Sequence, residues 1–202
     1  MVKDGSIEVL RILSDASAVI AEGEVAQLIT ANDTETTEAA YMDVITAKTA
    51  TLFAAAAELG AVVADQPKAE AAALRSYGEN LGIVFQLVDD VLDYNARESD
   101  LGKHVGDDFK DGKITLPVVL AFERGDEEER AFWRRTLEDS EQTPEDFAKA
   151  ITLMERHGAL AESMARATGY ADRTREALAP FPEGPAKAAM LDLVDFCTER
   201  LY

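Results

Sequence analysis

The stretch ENLGIVFQLVDDVLDY, residues 79–94, decides the fold of this chain. On a helix of about 100° per residue, four of its polar side chains share an arc of about 100°: Gln86, Asp89, Asp90 and Asp93. Apolar side chains cover most of the remaining surface, so this helix is expected to be buried. Its carboxylates must then face a polar cavity or a partner, because bare buried charges cost several kcal/mol each.

Helical spacing of apolar residues continues on both sides of this stretch, interrupted by glycine, proline and charged residues. The predicted helices cover residues 7–29, 38–63, 69–94, 115–123, 126–138, 144–157, 159–179 and 185–201. We expect a break near Gly23 in the first helix, a cap from Thr34 or Thr37 before the second, and Pro117 in a first turn. No alternating strand pattern is present, so the sequence predicts one all-α domain over residues 1–202.

Composition limits the possible functions. The 202 residues are 47% hydrophobic, enough for one sizeable core, and 39 acidic against 20 basic residues give a net charge of −19. That charge argues against nucleic acid as a partner, and a phosphorylated substrate would need metal ions or local lysines. The single cysteine, Cys197, favours a reducing, cytoplasmic location, and no apolar run predicts a transmembrane segment or signal peptide.

The aspartates at i, i+1 and i+4 in residues 89–93 are hard oxygen ligands that suit Mg²⁺, which commonly takes one or two carboxylates together with water and substrate phosphates. The alternative is a solvated acidic face in an acidic protein. The apolar surround of the helix and the loop that follows it favour the metal. That loop includes GKHVGDDFKDGKITLP, residues 102–117, in which Lys103 and Lys113 each follow a glycine and could reach a phosphate.

Lys48 is the only basic residue between Arg11 and Lys68, and it lies in the alanine-rich second helix beside Thr49. A lone cation among apolar neighbours needs an anion nearby. Asp89 or a bound diphosphate would provide one, and the alternative is a lysine that extends along the surface to water.

Four strings in order complete the pattern: GEVAQL at 23–28, KTATLF at 48–53, GIVFQLVDDVLDY at 82–94 and the lysine-bearing string at 102–117. Together they resemble the signature regions of trans-isoprenyl (polyprenyl) diphosphate synthases, most closely the bacterial long-chain, octaprenyl to decaprenyl, type. The resemblance covers essentially the whole chain. It implies an all-α, orthogonal or antiparallel helical bundle of the isoprenoid synthase type, incomplete at its N-terminus.

The resemblance also implies a role for each matching residue. Mg²⁺ would be held by Asp89, Asp90, Asp93 and Asp108. The catalytic residues would be Lys48, Thr49, Gln86 and Lys103, and the substrate-binding residues would be Lys48, Thr49, Phe85, Gln86, Lys103 and Lys113. The implied reaction is head-to-tail condensation of an allylic diphosphate with isopentenyl diphosphate, with Mg²⁺ as the cofactor.

One departure from the family pattern changes these expectations. The family has a DDxxD motif and an arginine pair upstream of these strings, whereas residues 1–88 of this sequence contain no DDxxD. The chain alone is therefore expected to be inactive, with the apolar sides of helices 38–63 and 69–94 partly uncovered, and to form a homodimer or hetero-oligomer. Two alternatives remain: a non-catalytic partner of a complete synthase, and an unrelated metal-binding bundle. Neither histidine follows a glutamate by three residues, which argues against a di-iron bundle.

Overall fold

The computed structural model describes residues 5–95 and 105–199, and every regular element within those ranges is helical. The all-α prediction is confirmed. The helices are α1 (Ile7–Thr30), α2 (Glu38–Ile45), α3 (Thr51–Val63), α4 (Lys68–Asn95), α5 (Asp107–Lys110), α6 (Leu116–Arg124), α7 (Glu127–Trp133), α8 (Asp146–Arg156), α9 (Ala159–Ala177) and α10 (Pro185–Glu199). Two π-helical turns, Thr46–Ala50 and Arg134–Glu138, extend α2 and α7.

Helix α4 is the centre of the bundle. Helix α3 packs along one side of it and α9 along another, while α1 lies over α3 and the first π-helical turn. The second half of α4 supplies Val84, Leu87 and Val88, none of which has exposed surface. The prediction that this helix is buried around most of its circumference is confirmed.

Helices α3 and α4 approach so closely because α4 presents glycine at two positions one turn apart. A Cβ atom at Gly78 would lie 2.3 Å from the carbonyl oxygen of Phe53, and one at Gly82 would lie 2.6 Å from the Cα atom of Ala50. Both neighbours are backbone atoms that cannot turn aside. The contacts of α4 with α3 at Gly78 and with the first π-helical turn at Gly82 therefore require residues without side chains at these two positions.

Helix α1 is continuous, so the expected break near Gly23 is wrong. A Cβ atom at Gly23 would lie 2.7 Å from the backbone nitrogen of Lys48, which shows that this glycine serves helix packing. Of the two threonines expected to cap α2, Thr37 does so, its hydroxyl accepting from the backbone N–H of Ala40 at 3.2 Å. The hydroxyl of Thr34 contacts Glu138 instead.

The predicted helix over 38–63 is helical throughout but contains the π-helical turn Thr46–Ala50. A π-helical turn inserts one residue into the helix, and such turns occur frequently at functional sites. Lys48 and Thr49 lie inside it. The insertion changes the direction of these two side chains relative to a regular α-helix.

The exposed apolar surface differs from the one expected from the sequence. Within the described ranges, the large apolar side chains with substantial exposure are Ile7, Leu10, Val19, Val25, Leu28, Ile29, Leu52, Val63, Leu193 and Phe196. Helix α3 contributes Leu52 and Val63, as expected, but α4 contributes none. Helix α1 carries most of this surface, because it covers α3 with one face and leaves the opposite face in solvent.

One helical stretch of the described chain, Glu38–Val63, is long and apolar enough to cross a membrane by length and composition alone. Its high hydropathy comes from small residues at packed positions, including Ala50, Ala54 and Ala55, which are buried in the bundle. A core helix of a soluble protein meets the same criterion. The prediction that the chain has no transmembrane segment stays a prediction.

Asp146 and Arg135 form a two-point ion pair that connects α8 to the second π-helical turn. The two guanidinium nitrogens lie 2.7 and 3.0 Å from the carboxylate oxygens of Asp146, which also accept from the backbone N–H of Thr143 at 2.7 Å. The hydrogen bonds from Arg135 lower the pKa of Asp146 from 3.8 to about 2. A carboxylate with a depressed pKa stabilises the folded state above its unfolded pKa, and this contribution is lost as the pH falls.

We therefore expect Asp146→Asn to lower the free energy of unfolding by about 1–2 kcal/mol at pH 7. The difference from wild type should narrow as the pH falls below about 4, because the wild-type carboxylate is then protonated in the unfolded chain. Urea unfolding between pH 7 and 2.5 measures it. The matched control is Asp192→Asn, an exposed change on α10. If Asp146→Asn lowered the free energy of unfolding by the same amount at every pH, the stabilisation would not come from the lowered pKa of Asp146.

Candidate functional site

A cavity of about 410 Å³ lies between the end of α1, helix α2, the first π-helical turn, α4 and the segment after α5. Its lining residues are Gln27, Thr30, Ala31, Tyr41, Val44, Ile45, Lys48, Thr49, Gln86, Asp89, Asp108, Asp111, Lys113 and Ile114. The cavity combines carboxylates and lysines with an apolar wall. That composition suits a ligand with a charged head and an apolar chain.

The structure brings most of the sequence-predicted residues to this cavity. Its lining includes Lys48, Thr49, Gln86, Asp89, Asp108 and Lys113. Phe85, Asp90 and Asp93 belong to the same helix but are not part of the lining, and the Phe85 ring lies 5.7 Å from that of Phe53. Lys103, predicted to contact the substrate, lies outside the described residues.

Asp90 has no exposed surface, and its carboxylate accepts three hydrogen bonds. Its Oδ2 accepts from the Tyr41 hydroxyl at 2.5 Å, and its Oδ1 accepts from the Gln86 amide at 2.8 Å and from the Lys113 ammonium at 2.9 Å. Gln86 in turn accepts from the Thr49 hydroxyl at 3.0 Å. Asp90 therefore joins α2, α4 and the segment after α5 from inside the protein, in contrast to Asp89, which lies at the cavity wall.

Lys113 lies between two carboxylates, with its ammonium 2.9 Å from Asp90 and 2.8 Å from Asp108. Burial by itself would lower the pKa of Lys113, but the two carboxylates outweigh it and the pKa is raised. Burial raises the pKa of Asp108 to about 6, even though Lys113 opposes the shift. Lys113 is therefore a positively charged group at the cavity. A further positive charge beside Asp108 would stabilise the ionised form of its carboxyl group.

Asp93 fixes the segment that carries Asp108. Its Oδ2 accepts from the backbone N–H of Asp108 at 3.0 Å, and its own carbonyl accepts from the N–H of Gly106 at 3.0 Å. Burial raises the pKa of Asp93, and the hydrogen bonds that its carboxylate accepts from backbone N–H groups, foremost that of Asp108, oppose the shift. The sequence predicted a loop after the helix that carries Asp93. Its described part instead contains the short helix α5.

The turn between α1 and α2 fixes the backbone immediately before Lys113. Asn32 donates its backbone N–H to the carbonyl of Gly112 at 3.1 Å and its side-chain amide to the carbonyl of Leu137 at 2.6 Å. Gly112 has a φ of 67°, and a Cβ there would lie 2.1 Å from the Asn32 amide nitrogen. Glycine is therefore required immediately before Lys113.

Lys48 is paired differently from the sequence-based expectation. Its ammonium lies 3.1 Å from the Glu24 carboxylate and contacts the side-chain oxygen of Gln27, both on α1. The expected anion was Asp89 or a diphosphate. The GEVAQL string thus provides polar partners for Lys48, and a bound anion would have to share the ammonium with them.

The sequence reasoning missed Tyr41 and Gln27, which both line the cavity. One signal for Tyr41 was available: it precedes Lys48 by seven residues, or about two helical turns, which places both on one face of a helix. Burial and then the Asp90 carboxylate raise the pKa of Tyr41 well above its ordinary value. Its hydroxyl therefore keeps its proton and acts as a donor.

The residues present fit a magnesium ion that is shared with a substrate. Within residues 5–95 and 105–199, no group of three or more histidine, cysteine or acidic side chains is placed to hold an ion by itself. Mg²⁺ commonly takes one or two carboxylates and completes its shell with water and phosphate oxygens. Asp89 and Asp108 line one cavity with two lysines, an arrangement that suits such partial coordination.

The described chain is a helical bundle with an acidic, lysine-bearing cavity. The chain belongs to the polyprenyl synthetase family, whose model matches residues 1–154. It is 42% identical to an octaprenyl diphosphate synthase from Haemophilus influenzae over 197 residues, which are 98% of this chain and 60% of that protein. It is 40% identical over 196 residues to an octaprenyl diphosphate synthase from Escherichia coli, with 97% and 60% covered.

Solved structures show the same fold. A polyprenyl synthase from Caulobacter crescentus, in complex with calcium and isoprenyl diphosphate, superimposes with a TM-score of 0.95 at 47% identity, covering 100% of this chain and 62% of that one. A decaprenyl diphosphate synthase from Rhodobacter capsulatus gives 0.94 at 45% identity, with 100% and 62% covered. The chain thus spans about 60% of the length of the curated relatives it matches.

Proposed function

We propose that this chain forms the diphosphate-binding part of a cytoplasmic polyprenyl diphosphate synthase, a prenyltransferase of isoprenoid and quinone side-chain biosynthesis. The reaction would join an allylic diphosphate head-to-tail to isopentenyl diphosphate. The observation that carries the proposal is the cavity in which Asp89 and Asp108 face the same space as Lys48 and Lys113. The names of the relatives and the calcium and isoprenyl diphosphate in one of them support it.

In this proposal, Lys48 and Lys113 bind the diphosphate oxygens, because each is a compact cation at the cavity wall. Lys103 has the same role, and Phe85 contributes to the apolar side of the site. The coupled pair Thr49 and Gln86 orients the reacting carbon chain. Asp89, Asp93 and Asp108 hold Mg²⁺, with Asp90 as a supporting group behind them. When bound, Mg²⁺ supplies positive charge that stabilises the leaving diphosphate.

The same proposal includes assembly and activity. Residues 1–88 contain no DDxxD motif, so we expect the chain by itself to bind a diphosphate without condensing two substrates. The apolar face of α1, including Val25, Leu28 and Ile29, favours a homodimer or a hetero-oligomer. A non-catalytic subunit that pairs with a complete synthase is the second candidate, and the same exposed face favours it.

The test is binding of inorganic diphosphate with Mg²⁺, measured by titration calorimetry. We expect Asp89→Ala to weaken the affinity by about tenfold or more, since one charge-assisted contact contributes about 1.5–3 kcal/mol. The matched control is Asp192→Ala, which removes an exposed carboxylate on α10 and should bind as wild type does. Equal binding by wild type and Asp89→Ala, or no binding by wild type, would refute the proposed site.

A further inference from the structure

Tyr41 lines the cavity but has no part in the binding roles proposed above. Its side chain is 3% exposed, and its hydroxyl donates to Asp90 Oδ2 at 2.5 Å. It lies on α2, 49 residues from Asp90 in sequence, so this hydrogen bond joins two helices at the wall of the site. The question is what this buried hydroxyl does for a ligand in the cavity.

The carboxylate of Asp90 is fully buried, so its charge must be satisfied inside the protein. Three groups from three segments do so: Tyr41, Gln86 and Lys113. The Gln86 amide is held by its second hydrogen bond to Thr49. Of these three groups, Lys113 can change position most easily, because its side chain is 26% exposed and its ammonium also contacts Asp108.

An ammonium group has three N–H donors. Asp90 and Asp108 occupy two of those of Lys113, which leaves one for the cavity that Lys113 lines. If the Asp90 carboxylate had fewer hydrogen-bond donors, it would attract the Lys113 ammonium more strongly and draw it inward, away from the cavity. The Tyr41 hydroxyl stabilises this carboxylate by donating to Oδ2, while Lys113 contacts the other oxygen, Oδ1.

We propose that Tyr41 is a positioning residue, which acts through Asp90 to keep the Lys113 ammonium available to a diphosphate. This inference rests on the proposed function, because it takes a diphosphate as the ligand. In this role Tyr41 acts through Asp90 and not through a contact of its own with the ligand. Without the Tyr41 hydroxyl, Asp90 Oδ2 loses its donor, and Lys113 moves toward Asp90 and binds the ligand less well.

The experiment is a double-mutant cycle on the binding of inorganic diphosphate with Mg²⁺, using Tyr41→Phe, Lys113→Met and the combined variant. Tyr41→Phe keeps the ring and removes one oxygen, and we expect it to raise Kd about tenfold. In the Lys113→Met background the same change should alter Kd by less than about twofold, because the group through which Tyr41 acts is gone.

The matched control is Tyr77→Phe, which removes another buried hydroxyl. That hydroxyl donates to the carbonyl of Met190 at 2.8 Å and joins α4 to α10, and Tyr77 is not part of the cavity lining. Its loss should lower the thermal midpoint about as much as that of Tyr41→Phe while leaving Kd unchanged. This comparison separates loss of a buried hydrogen bond from an effect on the ligand.

Each outcome decides the inference. A Kd for Tyr41→Phe equal to that of Tyr77→Phe, with wild type binding normally, would overturn the positioning role and leave the proposed function standing. A tenfold loss that persists in the Lys113→Met background would also overturn it, because Tyr41 would then act without Lys113. Failure of wild type to bind would overturn both proposals.

Discussion

Replacing Gly78 by alanine is expected to lower the free energy of unfolding by about 3 kcal/mol, at the upper end of the range for overpacked cores. The added methyl group would lie 2.3 Å from the carbonyl oxygen and 2.7 Å from the carbonyl carbon of Phe53. Backbone atoms of a packed helix cannot rotate away as a flexible side chain can. Helices α3 and α4 must therefore separate along their contact, at the centre of the bundle.

The control is the same substitution at Gly60, which is exposed on α3 and where an added Cβ atom would meet no other atom within 4 Å. There alanine should raise the free energy of unfolding by about 0.5–1 kcal/mol, since glycine is unfavourable inside a helix. Urea unfolding with linear extrapolation gives both values. Equal stability of Gly78→Ala and wild type would contradict the close contact between α3 and α4.

The positions of the helices could be predicted from the sequence because their apolar periodicity is strong. The predicted helix 69–94 is Lys68–Asn95 in the structure, and the first predicted helix, 7–29, is Ile7–Thr30. The error at Gly23 came from treating a glycine as a helix breaker, whereas close packing against Lys48 requires it. Local sequence does not distinguish these two uses of glycine.

The π-helical turns could not be predicted from periodicity. An insertion of one residue shifts later side chains by about 100°, and the spacing of apolar residues around Lys48 and Thr49 does not reveal such a shift. In the structure, both side chains lie in the first π-helical turn and line the cavity.

The sequence predicted which residues belong to the site, but it did not predict how these residues are arranged around one another. Asp89 and Asp90 differ by only about 100° on a helix, so the sequence assigns both to one polar face. Tyr41 and Lys113 arrive from other elements and enclose Asp90, while Asp89 stays at the cavity wall. The partner of Lys48 likewise depends on how α1 packs, which no spacing within 48–53 reveals.

Replacing Asp90 by alanine is the substitution within the site with the largest expected cost, about 3 kcal/mol of unfolding free energy. It leaves the buried hydroxyl of Tyr41 and the amide of Gln86 without their acceptor, and Lys113 with Asp108 as its one remaining ion-pair partner within the described residues. Breaking a fully buried pair costs about 3–5 kcal/mol. The partial exposure of Lys113 lowers that range here, because its ammonium can turn toward water.

The control lies one residue away, in the same helix. Asp89→Ala removes a half-buried carboxylate from the cavity wall, and we expect it to lower the free energy of unfolding by less than Asp90→Ala does, while diphosphate binding weakens. Urea unfolding of the two variants in parallel therefore distinguishes Asp90, which connects segments inside the protein, from Asp89, which faces the cavity. If Asp90→Ala were as stable as Asp89→Ala, the buried charge would not hold α2, α4 and the Lys113 segment together, and the positioning role of Tyr41 would lose its basis.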